Sequence, residues 1–132
     1  MKIEHIALWV EDLETMKSFY QKYFGAVSNE KYINSVKQFQ SYFLSFPGGD
    51  CRIELMQRPD IMMSRSDYEK QTMGIIHFAI SLGSREKVDE LTQQLEADGY
   101  VIAGFPRLTG DGYYESVVLD PEKKYYRNHR II

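Results

Sequence analysis

The run IEHIALWVEDL, residues 3–13, decides the fold, because IIHFAISL, residues 75–82, repeats its pattern. In the first run Ile6, Leu8 and Val10 alternate with His5, Ala7 and Trp9. In the second, Phe78, Ile80 and Leu82 alternate with His77, Ala79 and Ser81. Alternation of this kind marks a strand with two unlike faces. Each run then passes into a helical pattern. Asp12 is a suitable N-cap, Leu13, Met16, Tyr20 and Tyr23 follow at helical spacing, and Gly25 stands at the stop. Ser84, then Val88, Leu91 and Leu95, then Gly99 do the same in the second half.

Strand-like runs follow each helix. The first half has AVSNEKYI (26–33), QFQSYFLSF (38–46) and CRIELMQR (51–58), the last two joined by the turn PGGD. The second half has YVIAGFPRL (100–108) and YYESVVLD (113–120), with a final strand due after Asp120-Pro121. His5 and His77 are 72 residues apart, as Gly25 and Gly99, or Pro47 and Pro121, are 74 apart. Such a period signals duplication of a supersecondary unit. The expected fold is therefore α+β, built of two βαβββ units. The first covers 1–58 and the second 75–132, with 59–74 as a linker that has room for one helical turn, all within one domain of 132 residues. Helices are expected near 13–24 and 84–98.

Bulk properties narrow the function classes. Apolar residues make up 43% of the chain and charged residues 27%, enough for a real core without staples. A net charge of -3 gives no electrostatic case for nucleic acid. Cys51 is the only cysteine, which fits a reducing cytoplasm and rules out a disulfide framework. Charges interrupt the N-terminal run, so no signal peptide is expected, and no run is long enough to span a bilayer.

Each helix must cover the Ile6/Leu8 face or the Phe78/Ile80 face. His5 and His77 then lie on the other face, at equivalent points of the two first strands. Glu54 sits between Ile53 and Leu55, on a strand that should neighbour the first. A carboxylate inside an apolar strand is costly unless paired or ligated. Two imidazoles and a carboxylate in one cavity suit a divalent cation. Taken singly, each histidine also reads as a hydrogen-bonded structural residue, and Glu54 as an edge carboxylate reaching water. The duplication, which puts a histidine at the matching point of both halves, keeps the metal reading open beside these. Glu115 is the other suspicious carboxylate: a catalytic base, a group that supports the ligands from behind, a substitute ligand or a solvated rim residue. Tyr113 and Trp9 are candidate pocket or core residues. Met62 and Met63 are candidates for an adaptable lid.

The chain resembles the vicinal oxygen chelate superfamily, which includes glyoxalase I, extradiol dioxygenases, and the fosfomycin- and bleomycin-resistance proteins. The resemblance runs from KIEHIALWVEDLETMKSFYQKYFG to GDGYYESVVLDPE and is nearest to small bacterial glyoxalase-like proteins. It implies a cup-shaped mixed sheet and a divalent metal (nickel, zinc or similar). The implied ligands are His5, Glu54 and His77, with Glu54 as the proton carrier, beside Glu115 as the candidate base read from its strand. It also implies a small-molecule substrate and a homodimer. In that family the fourth ligand is a Glu in the last strand, and its position falls here on Arg127. Arginine has no acceptor and cannot ligate a cation, so the resemblance implies an impaired or empty metal site in this chain.

The tail EKKYYRNHRII lacks the alternation of a final strand. One permitted encoding, with a single A removed from its A run, translates instead as Glu-Lys-Asn-Ile-Ile-Glu-Ile-Thr-Ala and a stop, with Glu at position 127. The tail then reads as a frameshifted metal strand. As it stands, it reads as a basic strand whose Arg127 binds an anionic group. Three activities follow: a metal-dependent lyase or isomerase of glyoxalase I type, acting on a small carbonyl or thiol adduct; a metal-free ligand-sequestering resistance protein; and an iron-dependent dioxygenase.

Overall fold

A computed structural model describes residues 1–62 and 73–122, and the backbone of 127–129. The chain divides into two compact units, Met1–Ser64 and Arg65–Ile132.

In the first unit β1 (His5–Trp9) leads into α1 (Leu13–Phe24), followed by β2 (Val27–Ser28), β3 (Tyr32–Asn34), β4 (Phe39–Ser45) and β5 (Arg52–Gln57). The sheet order is β1-β5-β4-β2, with β3 also on β4, and β1 runs parallel to β5. The Asp12 carboxylate accepts from the Thr15 N–H at 3.0 Å, which starts α1. Gly25 ends it at φ 64°, a left-handed conformation that costs other residues energy. Leu13, Met16, Tyr20 and Tyr23 are buried as their spacing predicts, and Phe19 joins them. They meet a sheet face built from Leu8, Leu44, Ile53 and Leu55, all at most 5% exposed. Burying such a side chain is worth about 1.5–3 kcal/mol.

The run 26–33 is not one strand. Asn29 breaks it: its side-chain Oδ1 accepts from the Phe43 N–H at 2.8 Å, while its own N–H donates to the Phe43 carbonyl. A side-chain amide has replaced a rung of the ladder, and the chain leaves β2 to re-enter as β3.

The second unit contains β6 (His77–Ala79), α2 (Arg85–Ala97), β7 (Ile102–Leu108), β8 (Tyr114–Val118) and β9 (Arg127–His129). β7 and β8 are antiparallel, and β9 runs parallel to β6 with Arg127 opposite His77. The final strand therefore does pair beside the second histidine strand. Ser84 caps α2, and Gly99, at φ 88°, follows its end. The buried stripe of α2 is Val88, Thr92 and Leu95, with Leu91 only half-buried. The Thr92 hydroxyl donates to the Val88 carbonyl at 2.7 Å and pairs with the Ser116 hydroxyl at 2.7 Å. That satisfied polar pair lets a threonine take a core position that the apolar pattern assigns to leucine.

Met63, most of the linker, and the tail residues 123–126 and 130–132 lie outside the described residues, as do all side chains from 127 to 129.

Candidate functional site

The site begins with strand alternation. Leu8 turns toward α1, so His5, Ala7 and Trp9 share the opposite face of β1. The parallel register sets Ala7 beside Glu54 and His5 beside Arg52, which puts His5 and Glu54 on one face of adjacent strands. Their side chains converge there: His5 Nε2 lies 3.9 Å from Glu54 Oε2. The Glu54 side chain is 16% exposed. Phe43, opposite Glu54 on β4, meets the His5 ring edge-on at 5.3 Å between centroids.

The other ring nitrogen is also held. Glu4 Oε2 lies 2.5 Å from His5 Nδ1, and Glu4 Oε1 accepts from Arg52 Nε at 2.7 Å. These hydrogen bonds, that from His5 first, hold the Glu4 carboxyl below the usual carboxylate range. Sequence reasoning missed Glu4. Its only sequence signal is adjacency to His5, and alternation alone would send it to the opposite face.

The pair presents one nitrogen and one oxygen donor on the same face. An ionised carboxylate only accepts, so Glu4 requires the proton on Nδ1, and in the neutral ring the lone pair of Nε2 then faces Glu54. A lone pair facing a carboxylate oxygen repels it unless a proton or cation stands between. Two donors on one ion, each about 2.0–2.2 Å away, stand no more than about 4.4 Å apart, and 3.9 Å lies within that reach. Among the described residues no group of three His, Cys, Asp or Glu side chains is arranged to hold a metal. His5 and Glu54 come together in the first unit, while His77 belongs to the second, at an exposed position on β6.

Glu115 is not a solvated rim residue. It is 8% exposed, and its Oε1 lies 3.2 Å from Arg107 Nη2 across the β7–β8 pair. Tyr113 is half-buried, and its N–H donates to the Thr109 hydroxyl at 3.1 Å. Trp9 is half-buried too, with its ring edge-on to Phe39 at 6.0 Å and the Arg58 guanidinium 5.4 Å from its centroid. Met62 is 90% exposed.

Residues 2–124 match the sequence profile of the glyoxalase/bleomycin resistance protein/dioxygenase superfamily. The chain belongs to that superfamily. The uncharacterized protein YqjT of Bacillus subtilis (strain 168) is 26% identical over an alignment of 124 residues that covers 92% of this chain and 92% of that one. Two solved structures share the fold of this superfamily member. The trypanothione-dependent glyoxalase I of Leishmania major has a TM-score of 0.72 at 18% identity, over 100% of this chain and 86% of that one. The fosfomycin resistance protein FosX of Listeria monocytogenes, seen with Mn(II) and a dihydroxypropylphosphonic acid, has a TM-score of 0.70 at 22% identity, over 97% and 90%. No helix among the described residues is long and apolar enough to cross a membrane.

Proposed function

We propose that this superfamily member is a metal-dependent lyase or isomerase of glyoxalase I type, acting on a small carbonyl compound or the thiol adduct of a 2-oxoaldehyde. The observation that carries the reading is the His5–Glu54 pair, a nitrogen and an oxygen donor 3.9 Å apart on one sheet face. The superfamily resemblance implies His77 as a third ligand, and Glu115 stays a candidate proton carrier. A divalent cation bound there would polarise adjacent substrate oxygens as a Lewis acid. The chain's own part is to orient and to move a proton. Glu4 keeps the His5 proton on Nδ1, so Nε2 faces the site. Glu54 Oε2, in a half-buried position, takes the proton beside the substrate carbonyl and returns it to the neighbouring carbon. Ala7, beside Glu54 on β1, leaves space next to that carboxylate. A cytoplasmic homodimer belongs to the same reading.

Protein purified without chelator and titrated with nickel or zinc tests this. Metal-dependent conversion of a methylglyoxal–glutathione adduct, lost in Glu54→Gln, is the expected result. A parent chain that binds neither metal overturns the proposal.

A second reading has its own observation. Arg127 stands opposite His77 in the β6–β9 register, at the point where the superfamily resemblance places an acidic ligand. A permanent cation at that strand position favours a metal-free protein that sequesters an anionic small molecule. Binding of an anionic ligand by metal-free protein, lost in Arg127→Ala, would select this reading.

A further inference from the structure

We infer that Glu4 is a positioning residue for His5: it fixes the imidazole as the Nδ1–H tautomer and so sets the affinity of Nε2 for a divalent cation. The inference rests on the metal reading of the His5–Glu54 pair.

Glu4 precedes β1, yet it is tied to β5 at two points. Its carbonyl accepts from the Arg52 N–H at 2.9 Å. Its carboxylate is then divided, with Oε1 taken by Arg52 through Nε and Nη2, and Oε2 lying 2.5 Å from His5 Nδ1. Arg52 has a second role, because its guanidinium lies 4.2 Å from the centroid of Phe43. Phe43 in turn braces the His5 ring at an interplanar angle of 86°. Arg52 thus supports His5 through the carboxylate behind the ring and through the aromatic ring beside it.

The chemistry follows from what each atom can do. A free neutral imidazole exchanges between two tautomers, and the one with its proton on Nε2 offers no lone pair in the direction of Glu54. A carboxylate behind Nδ1 selects the other tautomer and adds negative charge that strengthens Nε2 as a donor. Histidine ligands in metal sites are commonly backed by such an acceptor, and its loss typically costs about 10–100-fold in metal affinity. The Glu4 side chain is 53% exposed, so water competes for its hydrogen bonds and the loss should fall near the lower end, about 10-fold. The same exposure means that Glu4 contributes little to folding, so its variants should keep the parent's melting temperature.

The test uses protein labelled with 15N in its histidines, metal-free and at one pH where imidazole is neutral. Nitrogen shifts identify each tautomer, and His77 serves as the internal reference. The parent should show His5 with Nδ1 protonated. Glu4→Ala should move His5 toward the Nε2–H form and weaken zinc binding about 10-fold. Glu4→Gln keeps an acceptor oxygen and should restore the tautomer and part of the affinity. An Nε2–H tautomer in the parent, or no change in Glu4→Ala, overturns the inference. If the tautomer responds but the parent binds no zinc, the orienting role of Glu4 is supported and the metal reading of the site fails.

Discussion

His5 Nε2 and Glu54 Oε2 face each other at 3.9 Å across a parallel strand pair, too far for a hydrogen bond and close enough to share an ion. Glu54→Gln keeps the shape of that side chain and removes its charge. Zinc affinity should fall by at least about 10-fold, while the melting temperature stays near that of the parent. Isothermal titration and thermal melting measure the two quantities. Unchanged affinity would remove Glu54 from the metal site.

Glu14 makes the acid stability of the first unit predictable. Its carboxylate lies 2.8 Å from Lys17 Nζ and 2.5 Å from Lys31 Nζ, and it accepts from the Tyr42 hydroxyl at 3.0 Å. These contacts, that with Lys17 first, lower its pKa from 4.5 to about 2. A depressed folded-state pKa stabilises the fold fully above the unfolded value of 4.5, and that contribution fades as pH falls toward about 2. The side chain is 53% exposed, so solvent screening limits the gain at neutral pH to about 0.5–1 kcal/mol. Glu14→Gln should cost that much at pH 7 and progressively less below pH 4.5. Urea unfolding at several pH values reads the difference, and a penalty that grows on acidification would contradict the assignment.

The pairing of Thr92 with Ser116 should show as non-additivity. Thr92→Val leaves the Ser116 hydroxyl buried without this partner and should cost about 1–3 kcal/mol. Adding Ser116→Ala removes the orphaned group and should recover part of that loss. A double-mutant cycle in chemical denaturation decides it, and simple additivity would refute the coupling.

Gly104 is needed for space. A Cβ there would lie 3.0 Å from Arg107 Nη1 and 3.1 Å from Val117 Cγ2. The arginine end can swing away, but Val117 is 4% exposed and packed. Gly104→Ala should therefore destabilise by about 1–3 kcal/mol through overpacking. Val117→Ala in the same background should relieve part of that cost. A fully stable Gly104→Ala variant would show that the β7–β8 pair, whose register shifts on either side of Gly104, adjusts freely.

Replacing residues 123–132 by Lys-Asn-Ile-Ile-Glu-Ile-Thr-Ala gives an apolar, β-branched last segment and a carboxylate at position 127. Melting temperature and nickel uptake should rise together. If neither moves, the tail is not a damaged metal strand, and Arg127 with an anionic ligand becomes the reading to pursue.

The elements were legible where one face is buried. Period-two alternation around His5, and helical spacing from Leu13 to Tyr23, follow from which side must exclude water. The pattern misjudged places where polar groups satisfy one another. Asn29 splits a strand with its side-chain amide, and Thr92 enters a core through its tie to Ser116. The site was half legible for the same reason. Glu54 announced itself as a charge in an apolar strand, whereas Glu4 acts through a hydrogen bond beside the strand that no periodicity encodes. Glu115 read as suspicious because it sits in an apolar strand-like run, but its burial and the partner that explains it, Arg107 on another strand, came only with the structure.

The pairing of β9 with β6 has an evolutionary consequence. Main-chain hydrogen bonds join Arg127–His129 to His77–Ala79, and such bonds are indifferent to the side chains that the strands carry. Drift in the closing segment can therefore change a liganding position while the strand keeps its place. In a lineage with this architecture, inherited chemistry and inherited shape are free to part company, and a scaffold that has lost one reaction stays available for selection toward another.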